Sequence, residues 1–144
     1  MKEKTVSRLR EIGIIPIVRA ASADVAIPVA EALLQTGLPV VEITMTVPDA
    51  IDAIGGLAKR FGGTMLIGAG TVTDAETARR TMDAGAEFIV TPCLVPEVIE
   101  AANRAQVAVL PGALTPGEIF EAFRKGGDMV KIFPAQSVGG AAYV

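Results

Sequence analysis

Short apolar runs recur about every 20–25 residues along this chain, and each is followed by an Ala-rich segment with the period of a helix. The runs are residues 14–20, 40–44, 65–70, 87–92, 107–112 and 129–134. They are short and apolar on both faces, which is typical of strands in a parallel sheet covered by helices. Right-handed crossovers between such strands leave two architectures, an open doubly wound sheet or a closed barrel.

The turn after the first run favours the barrel. An open nucleotide-binding sheet has a GxGxxG motif there, whereas residues 18–22 read VRAAS. We therefore predict the α/β class and favour a barrel over an open sheet. A (β/α)₈ TIM barrel needs eight units and about 200 residues or more, whereas this chain has about six βα units in one domain, residues 1–144. Either it is a truncated TIM barrel, or its six units close or pair in an unusual way.

Helix boundaries can be predicted from capping residues. Thr73 with Glu76, and Thr115 with Glu118, have the spacing of a capping box. Glycines that end helices are expected at Gly37, Gly62, Gly85 and Gly126.

Composition excludes several kinds of site. The chain has no histidine and one cysteine, Cys93. Ser-His and Cys-His nucleophile pairs, histidine-ligated metals and internal disulfides are therefore impossible. The net charge of −3 comes without a basic cluster, so no nucleic-acid partner is expected. No apolar run reaches the roughly 18 residues of a membrane span, and the first residues do not resemble a targeting signal. We expect a cytoplasmic protein with no membrane partner.

Two ionisable residues interrupt the apolar strands, Glu42 in VVEIT and Lys131 in MVKIF. Because side chains alternate along a strand, Lys131 points inward if Val130 and Ile132 meet the helices. The same alternation turns Glu42 inward together with Thr44. Strands two and six lie opposite each other in an eight-membered ring, so the carboxyl and the amine are expected to face each other across one mouth.

A lysine in that position can form a covalent intermediate. Desolvation disfavours its charged form, and the neutral amine attacks a carbonyl to form a Schiff base. A carboxylate opposite can shuttle the protons that carbinolamine formation and C–C cleavage require. A structural Lys–Glu ion pair inside the barrel explains the same two residues, and the pattern alone leaves both interpretations open.

Other residues at the carboxyl ends of strands are candidates for binding. Arg19 ends the first strand and can bind a substrate carboxylate with its guanidinium, or it is a surface arginine that caps a helix. Thr71, in GAGT, brings a hydroxyl to the mouth, or the motif is a tight turn. Cys93 lacks a base and is expected to be a spectator.

Five motifs occur in order: VVEITMTVPDA (40–50), IGAGTV (67–72), EFIVTP (87–92), LPGALTPGE (110–118) and VKIFPA (130–135). In these motifs the chain resembles the class I aldolases that cleave 2-dehydro-3-deoxy-6-phosphogluconate (KDPG), grouped with 4-hydroxy-2-oxoglutarate aldolases. The resemblance covers essentially the whole chain. It implies a (β/α)₈ barrel in a homotrimer that works without metal or cofactor in the Entner–Doudoroff pathway and yields pyruvate and glyceraldehyde 3-phosphate.

The resemblance also assigns roles. It implies that Lys131 forms the imine and that Glu42 is the general acid/base. Thr71, Pro92 and Phe133 match positions around the pyruvate. Some members hold the pyruvate carboxylate with an arginine after the second strand, where this chain has Thr46, and others with an arginine like Arg19, to which we assign the contact.

The resemblance places the phosphate-binding loops after strands seven and eight, and the sequence ends before them. We expect a truncated form of an aldolase that is poorly stable or inactive alone. The alternatives are 4-hydroxy-2-oxoglutarate or 2-dehydro-3-deoxy-6-phosphogalactonate as substrate, an inactive fragment, or a non-catalytic barrel that binds a sugar phosphate.

Overall fold

The computed structural model describes residues 2–144, in which six helices alternate with short strands. The helices are α1 (Lys2–Ile12), α2 (Ala26–Gln35), α3 (Ala50–Phe61), α4 (Ala75–Asp83), α5 (Pro96–Arg104) and α6 (Pro116–Arg124). The strands are β1 (Ile17–Val18), β2 (Val40–Thr44), β3 (Leu66–Gly70), β4 (Phe88–Val90), β5 (Ala108–Leu110), β6 (Gly112–Ala113) and β7 (Lys131–Ile132). A strand lies within each of the six predicted runs, and the predicted alternation of strands and helices is confirmed.

The strands form parallel sheets in chain order. Strands β1 to β5 pair consecutively, and β6 pairs with β7. Pro111 divides the fifth run into β5 and β6, since proline has no N–H for a ladder. Its carbonyl still accepts a hydrogen bond from the Lys131 N–H at 2.9 Å. The sixth run is thereby joined to the fifth, and six successive strand positions of a barrel are present.

Side-chain alternation divides the core into two layers. The layer between sheet and helices takes one set of strand residues, among them Val18, Val41, Ile43, Ile67, Ala69, Ile89 and Val109. The opposite, inward layer takes the alternate set, which includes Val40, Leu66, Phe88, Val90, Ala108 and Leu110. Glu42 lies between Val40 and Thr44 and therefore belongs to the inward face, as predicted from alternation.

Helix α1 covers the amino end of the strands. Leu9 is 3% exposed and packs in the inward core with the first residues of β2, β3, β4 and β5. The carboxyl ends of the strands lie at the opposite side, which is therefore the side for a functional site in this architecture.

The helix ends agree with the sequence analysis in part. Thr115 and Glu118 form the predicted capping box. The predicted box at Thr73 is wrong, because Asp74 is the N-cap of α4 and accepts a hydrogen bond from the Thr77 N–H at 2.7 Å. Gly62 does not end α3 in the left-handed conformation; the neighbouring Gly63, with φ of 85°, takes it.

Within residues 2–144, no helix is both long enough and apolar enough to cross a bilayer. In this part of the chain, no group of three or more His, Cys, Asp or Glu side chains is arranged to hold a metal ion.

Asp128 links α1 to the sheet through contacts with Lys2 and Val109. One oxygen of Asp128 accepts the Val109 N–H at 2.9 Å and pairs with the Lys2 ammonium at 3.0 Å. We expect Asp128→Ala to lower the free energy of unfolding by about 1–3 kcal/mol in urea titrations, because it leaves the Val109 N–H without its acceptor and the Lys2 ammonium without its carboxylate.

The matched control is Glu100→Ala, which breaks the exposed ion pair with Arg104 on α5. Exposed pairs contribute little, so this variant should stay within about 0.5 kcal/mol of the parent chain. Equal losses in the two variants would show that Asp128 does not tie α1 to the sheet.

Candidate active site

A cavity of about 400 Å³ opens on the inward face of the sheet. It is mostly apolar and contains both ionisable residues that interrupt the strands, Glu42 and Lys131. The apolar part of its lining comes from α1, the segment that follows it, and the inward face, with Leu9, Ile14, Ile15, Ile17, Val90, Leu110 and Met129. The predicted meeting of the second and sixth strands at one space is therefore present.

Glu42 is the most buried charged group in this cavity. Its side chain belongs to a residue only 2% exposed, and its Oε1 has no hydrogen-bond partner among residues 2–144. Burial raises the pKa of the carboxyl above its ordinary value of 4.5, whereas the positive charges of Lys131 and Arg19 act to lower it. The net shift is upward, so the fold favours a carboxyl that holds its proton more tightly than a free glutamic acid does.

Lys131 is half-buried rather than sheltered. Its Nζ lies 5.0 Å from the centre of the Phe133 ring, within the range of a cation–π contact. Val130 and Ile132, expected to meet the helices, are only half-buried and belong to neither buried core. The expectation that Lys131 is shielded from water is therefore wrong for the described residues, because its side chain is only half-buried. Its position beside the Glu42 cavity agrees with the prediction.

Arg19 follows β1 on the same side as Glu42. Ile17 pairs with Glu42 in the β1–β2 register and lines the cavity. Arg19 lies two residues beyond Ile17, so it returns to the inward face. It is exposed, and it is close enough for its charge to lower the pKa of Glu42.

Thr71 and Pro92 follow β3 and β4 and do not line the Glu42 cavity. Thr71 has φ of 59°, a left-handed conformation that is strained for a β-branched residue and is found most often at functional sites. Pro92 packs directly against Gly112, where any Cβ would meet the Pro92 carbonyl group. Both residues belong to the rim at the carboxyl ends of the strands.

A pair of hydroxyl groups also lies near this rim. Thr44 Oγ1 donates to the Val18 carbonyl at 3.2 Å and lies 2.7 Å from Thr46 Oγ1. A hydroxyl has one proton, so when Thr44 donates to Val18 its oxygen accepts from Thr46. Sequence reasoning placed Thr44 inward but missed this pair; the signal is the second threonine two positions further along the chain.

A larger surface groove lies elsewhere. It measures about 780 Å³ and is lined by Lys2, Ser7 and Asp128, among others, beside the first turns of α1. It therefore belongs to the amino end of the strands, opposite the rim, and we do not assign the candidate site to it.

Comparison with known proteins points to one family. A family model for the KDPG and KHG aldolases matches residues 5–144. The 2-dehydro-3-deoxy-phosphogluconate aldolase of Haemophilus influenzae is 35% identical over 142 residues, which are 99% of this chain and 66% of that protein.

Two solved structures have the same fold. The 2-keto-3-deoxy-6-phosphogluconate aldolase of Zymomonas mobilis, solved with 3-phosphoglycerate, superposes with a TM-score of 0.86 at 31% identity, covering 99% of this chain and 67% of that one. KDPG aldolase from Legionella pneumophila, with pyruvate captured as a covalent carbinolamine, gives 0.81 at 34% identity, covering 88% and 61%. These likenesses confirm the predicted TIM-barrel class.

This chain spans 66% of the length of the Haemophilus relative and 59% of that of the Escherichia coli KHG/KDPG aldolase. The family match nevertheless extends over nearly all of its residues. The chain belongs to the KDPG and KHG aldolase family.

Proposed function

We propose that the protein is a class I aldolase that cleaves 2-dehydro-3-deoxy-6-phosphogluconate through an imine on Lys131, with Glu42 as general acid/base. One observation carries the proposal: the Lys131 amine and the buried Glu42 carboxyl line the same apolar cavity. A structural ion pair is the alternative for these residues, but no such pair joins them within 4.0 Å. Glu42 Oε1 has no hydrogen-bond partner in the part of the chain that the structure describes.

The proposed reaction uses these two groups in turn. The Lys131 nitrogen attacks the C2 carbonyl of the keto acid, and the carbinolamine that forms loses water to give an iminium. The C3–C4 bond then breaks, its electrons pass into the iminium to form an enamine, and the C4 hydroxyl loses its proton. Protonation of C3 and hydrolysis of the imine release pyruvate and regenerate the amine. Glyceraldehyde 3-phosphate is the other product.

Glu42 suits the proton transfers. Each step needs a group that gives a proton at one stage and takes one at the next, and such a group works best when its pKa lies near the operating pH. Burial moves the pKa of Glu42 in that direction from its ordinary value. The unpartnered Oε1 is free to receive a proton from substrate or from water.

Arg19 is the proposed partner of the substrate carboxylate. A guanidinium offers paired N–H donors that match a carboxylate. Thr46, at the alternative position, donates its hydroxyl proton to Thr44 when Thr44 donates to Val18. It then has no proton left for the substrate, which favours Arg19.

The comparisons support a phosphorylated keto acid. The Legionella relative holds pyruvate as a carbinolamine, and the Zymomonas relative holds 3-phosphoglycerate. By resemblance, the phosphate site belongs to loops after strands seven and eight. 4-Hydroxy-2-oxoglutarate has the same 2-keto acid end and remains the alternative substrate. The homotrimer and the cytoplasmic location are further proposals from the family resemblance.

The imine on Lys131 can be tested by trapping. With pyruvate and borohydride, the reduced imine should add one carboxyethyl group to the peptide that contains Lys131, measured by mass spectrometry. Pyruvate carries the reacting carbonyl and no phosphate, so this experiment depends only on the described residues. Lys131→Gln should abolish the adduct.

Lys125→Gln is the matched control, because it removes an exposed lysine at the end of α6. This variant should still be labelled on Lys131. Adduct on other lysines with none on the Lys131 peptide would contradict the mechanism.

The role of Arg19 predicts a change in binding. Arg19→Ala should raise the KM for pyruvate about tenfold or more in an assay of methyl proton exchange in D₂O, because a charge-assisted pair contributes about 1.5–3 kcal/mol. Arg19→Lys should recover only part of the loss, since an ammonium lacks the planar pair of donors. Thr46→Val is the comparison variant, and a larger rise in KM for it than for Arg19→Ala would reverse the assignment.

Burial of Glu42 predicts a pH-dependent cost in stability. Above pH 4.5 the unfolded chain loses this proton while the native state still holds it, because the native pKa is raised. Stability therefore falls as the pH rises from 4.5 through the native pKa. Glu42→Gln, which carries no titrating group, should gain stability relative to the parent chain over that window.

The measurement is the difference in free energy of unfolding between Glu42→Gln and the parent chain from pH 4 to pH 8. Glu97→Gln, at an exposed position on α5, controls for the loss of one carboxyl group. A difference for Glu42→Gln that stays constant or shrinks as the pH rises would contradict the raised pKa.

A further inference from the structure

Glycines on the inward face of β3 determine where the Glu42 side chain lies. In the β2–β3 register Glu42 pairs with Gly68, and Thr44 pairs with Gly70. The Glu42 carboxyl group does not stay level with its own register partner. A Cβ built at Gly70 would overlap Glu42 Oε1 and crowd the rest of the carboxyl group.

The space beside Gly68 is occupied from the other side. Phe88 pairs with Gly68 in the β3–β4 register, and its ring lies where a Gly68 Cβ would be. Phe88 is fully buried. The Phe88 ring therefore lies over Gly68, and the Glu42 carboxyl group lies over Gly70. These are successive inward glycines of β3, and Gly70 is the last residue of that strand.

Backbone conformation does not explain these glycines. Neither Gly68 nor Gly70 has a φ in the left-handed region, and both lie within or at the end of a regular strand. Glycine inside a strand weakens it and often marks a place where another group approaches closely. At both positions the approaching group is a side chain from the neighbouring strand.

We infer that Gly70 is a positioning residue for the reaction: its bare Cα is the seat of the Glu42 carboxyl group and sets how close that group lies to the rim. The catalytic role of Gly70 rests on the proposed function, whereas the contact between Gly70 and the Glu42 carboxyl group rests on geometry alone. Two residues along a strand correspond to about 6.6 Å. The seat therefore moves the carboxyl group by a large part of that distance toward the carboxyl end, where substrate enters a barrel of this class.

A methyl group at Gly70 should displace the carboxyl group without destroying the fold. The side chain can swing into the 400 Å³ cavity that it lines. A methyl group at Gly68 meets a fully buried aromatic ring instead. Gly70→Ala should therefore change the environment of Glu42, whereas Gly68→Ala should chiefly disturb packing.

The first test measures the seat directly. The Glu42 side-chain carboxyl carbon is titrated by ¹³C NMR in the parent chain, in Gly70→Ala and in the control Gly117→Ala, whose new methyl group would meet nothing within 4 Å. In Gly70→Ala the titration midpoint should fall toward the ordinary glutamic acid value, because the displaced carboxyl group enters the open cavity. An unchanged midpoint in Gly70→Ala overturns the inference.

The second test measures the catalytic consequence by exchange of pyruvate methyl protons in D₂O. Displacement of a reacting group by about 1 Å can cost roughly 100-fold in rate, so Gly70→Ala should lose at least tenfold in kcat with little change in KM. The acid limb of its pH profile should move with the NMR midpoint. Gly117→Ala should match the parent chain.

Two double variants test the contact between residue 70 and the side chain at position 42. The shorter acid in Glu42→Asp leaves room for a methyl group, so Gly70→Ala should cost less in that background than in the parent; an equal fold-loss overturns the inference. If Gly70→Ala alone fails to fold, Glu42→Ala should restore folding, and failure to restore it also overturns the inference.

The two proposals can fail separately. If the parent chain neither traps pyruvate on Lys131 nor exchanges its protons, the aldolase mechanism fails while the NMR titration still tests the seat. If the parent chain does both and the Gly70→Ala titration is unchanged, the seat fails and the mechanism stands.

Discussion

Glu42 lies on the inward face of a parallel sheet, where water is scarce and its charged form is disfavoured. A carboxyl group in such a place ordinarily has its oxygens paired by hydrogen bonds, since an unpaired buried acceptor costs about 1–3 kcal/mol. Here residues 2–144 offer Oε1 no hydrogen-bond partner, and the more distant positive charges of Lys131 and Arg19 compensate in part. Strand alternation turns this group inward, and Gly70 on β3 leaves open the space that its carboxyl group occupies.

The two ends of the sheet differ in what they contribute. At the amino end, α1 closes the inward core with Leu9, and Lys2 pairs with Asp128. At the carboxyl end, Thr71 holds a strained conformation and Arg19 is exposed. Strained and exposed groups are therefore found at the rim, as is common at functional sites.

Much of this was predictable from the sequence because strand alternation is a strong constraint. The spacing of the apolar runs predicts the parallel order, and one polar residue within an apolar strand predicts the inward position of Glu42. Capping was less predictable, because Thr73 and Asp74 are both good caps and only the packed helix selects Asp74.

The exposure of Lys131 was not predictable from the alternation pattern. Alternation predicts which face of a strand a side chain lies on, but it does not predict how deeply that face is buried. Both residues of β7 are half-buried. The role of Gly70 was also hidden, since the pattern GAGT is equally typical of a tight turn. The useful signal is that two glycines occupy successive inward positions beside a strand that carries one inward carboxyl group.

The charges around Glu42 also couple its proton to the covalent state of Lys131 in the proposed reaction. The lysine is a cation as an ammonium and again as an iminium, but its nitrogen is neutral in the carbinolamine. A substrate carboxylate bound to Arg19 offsets the positive charge of the Arg19 guanidinium. At the carbinolamine stage both charges that lower the pKa of Glu42 are therefore weakened, and burial, the larger influence, acts nearly unopposed. Glu42 then holds its proton most firmly at the stage that needs an acid to expel water. When the iminium forms, the restored positive charge favours the carboxylate, which is the base that the C4 hydroxyl requires.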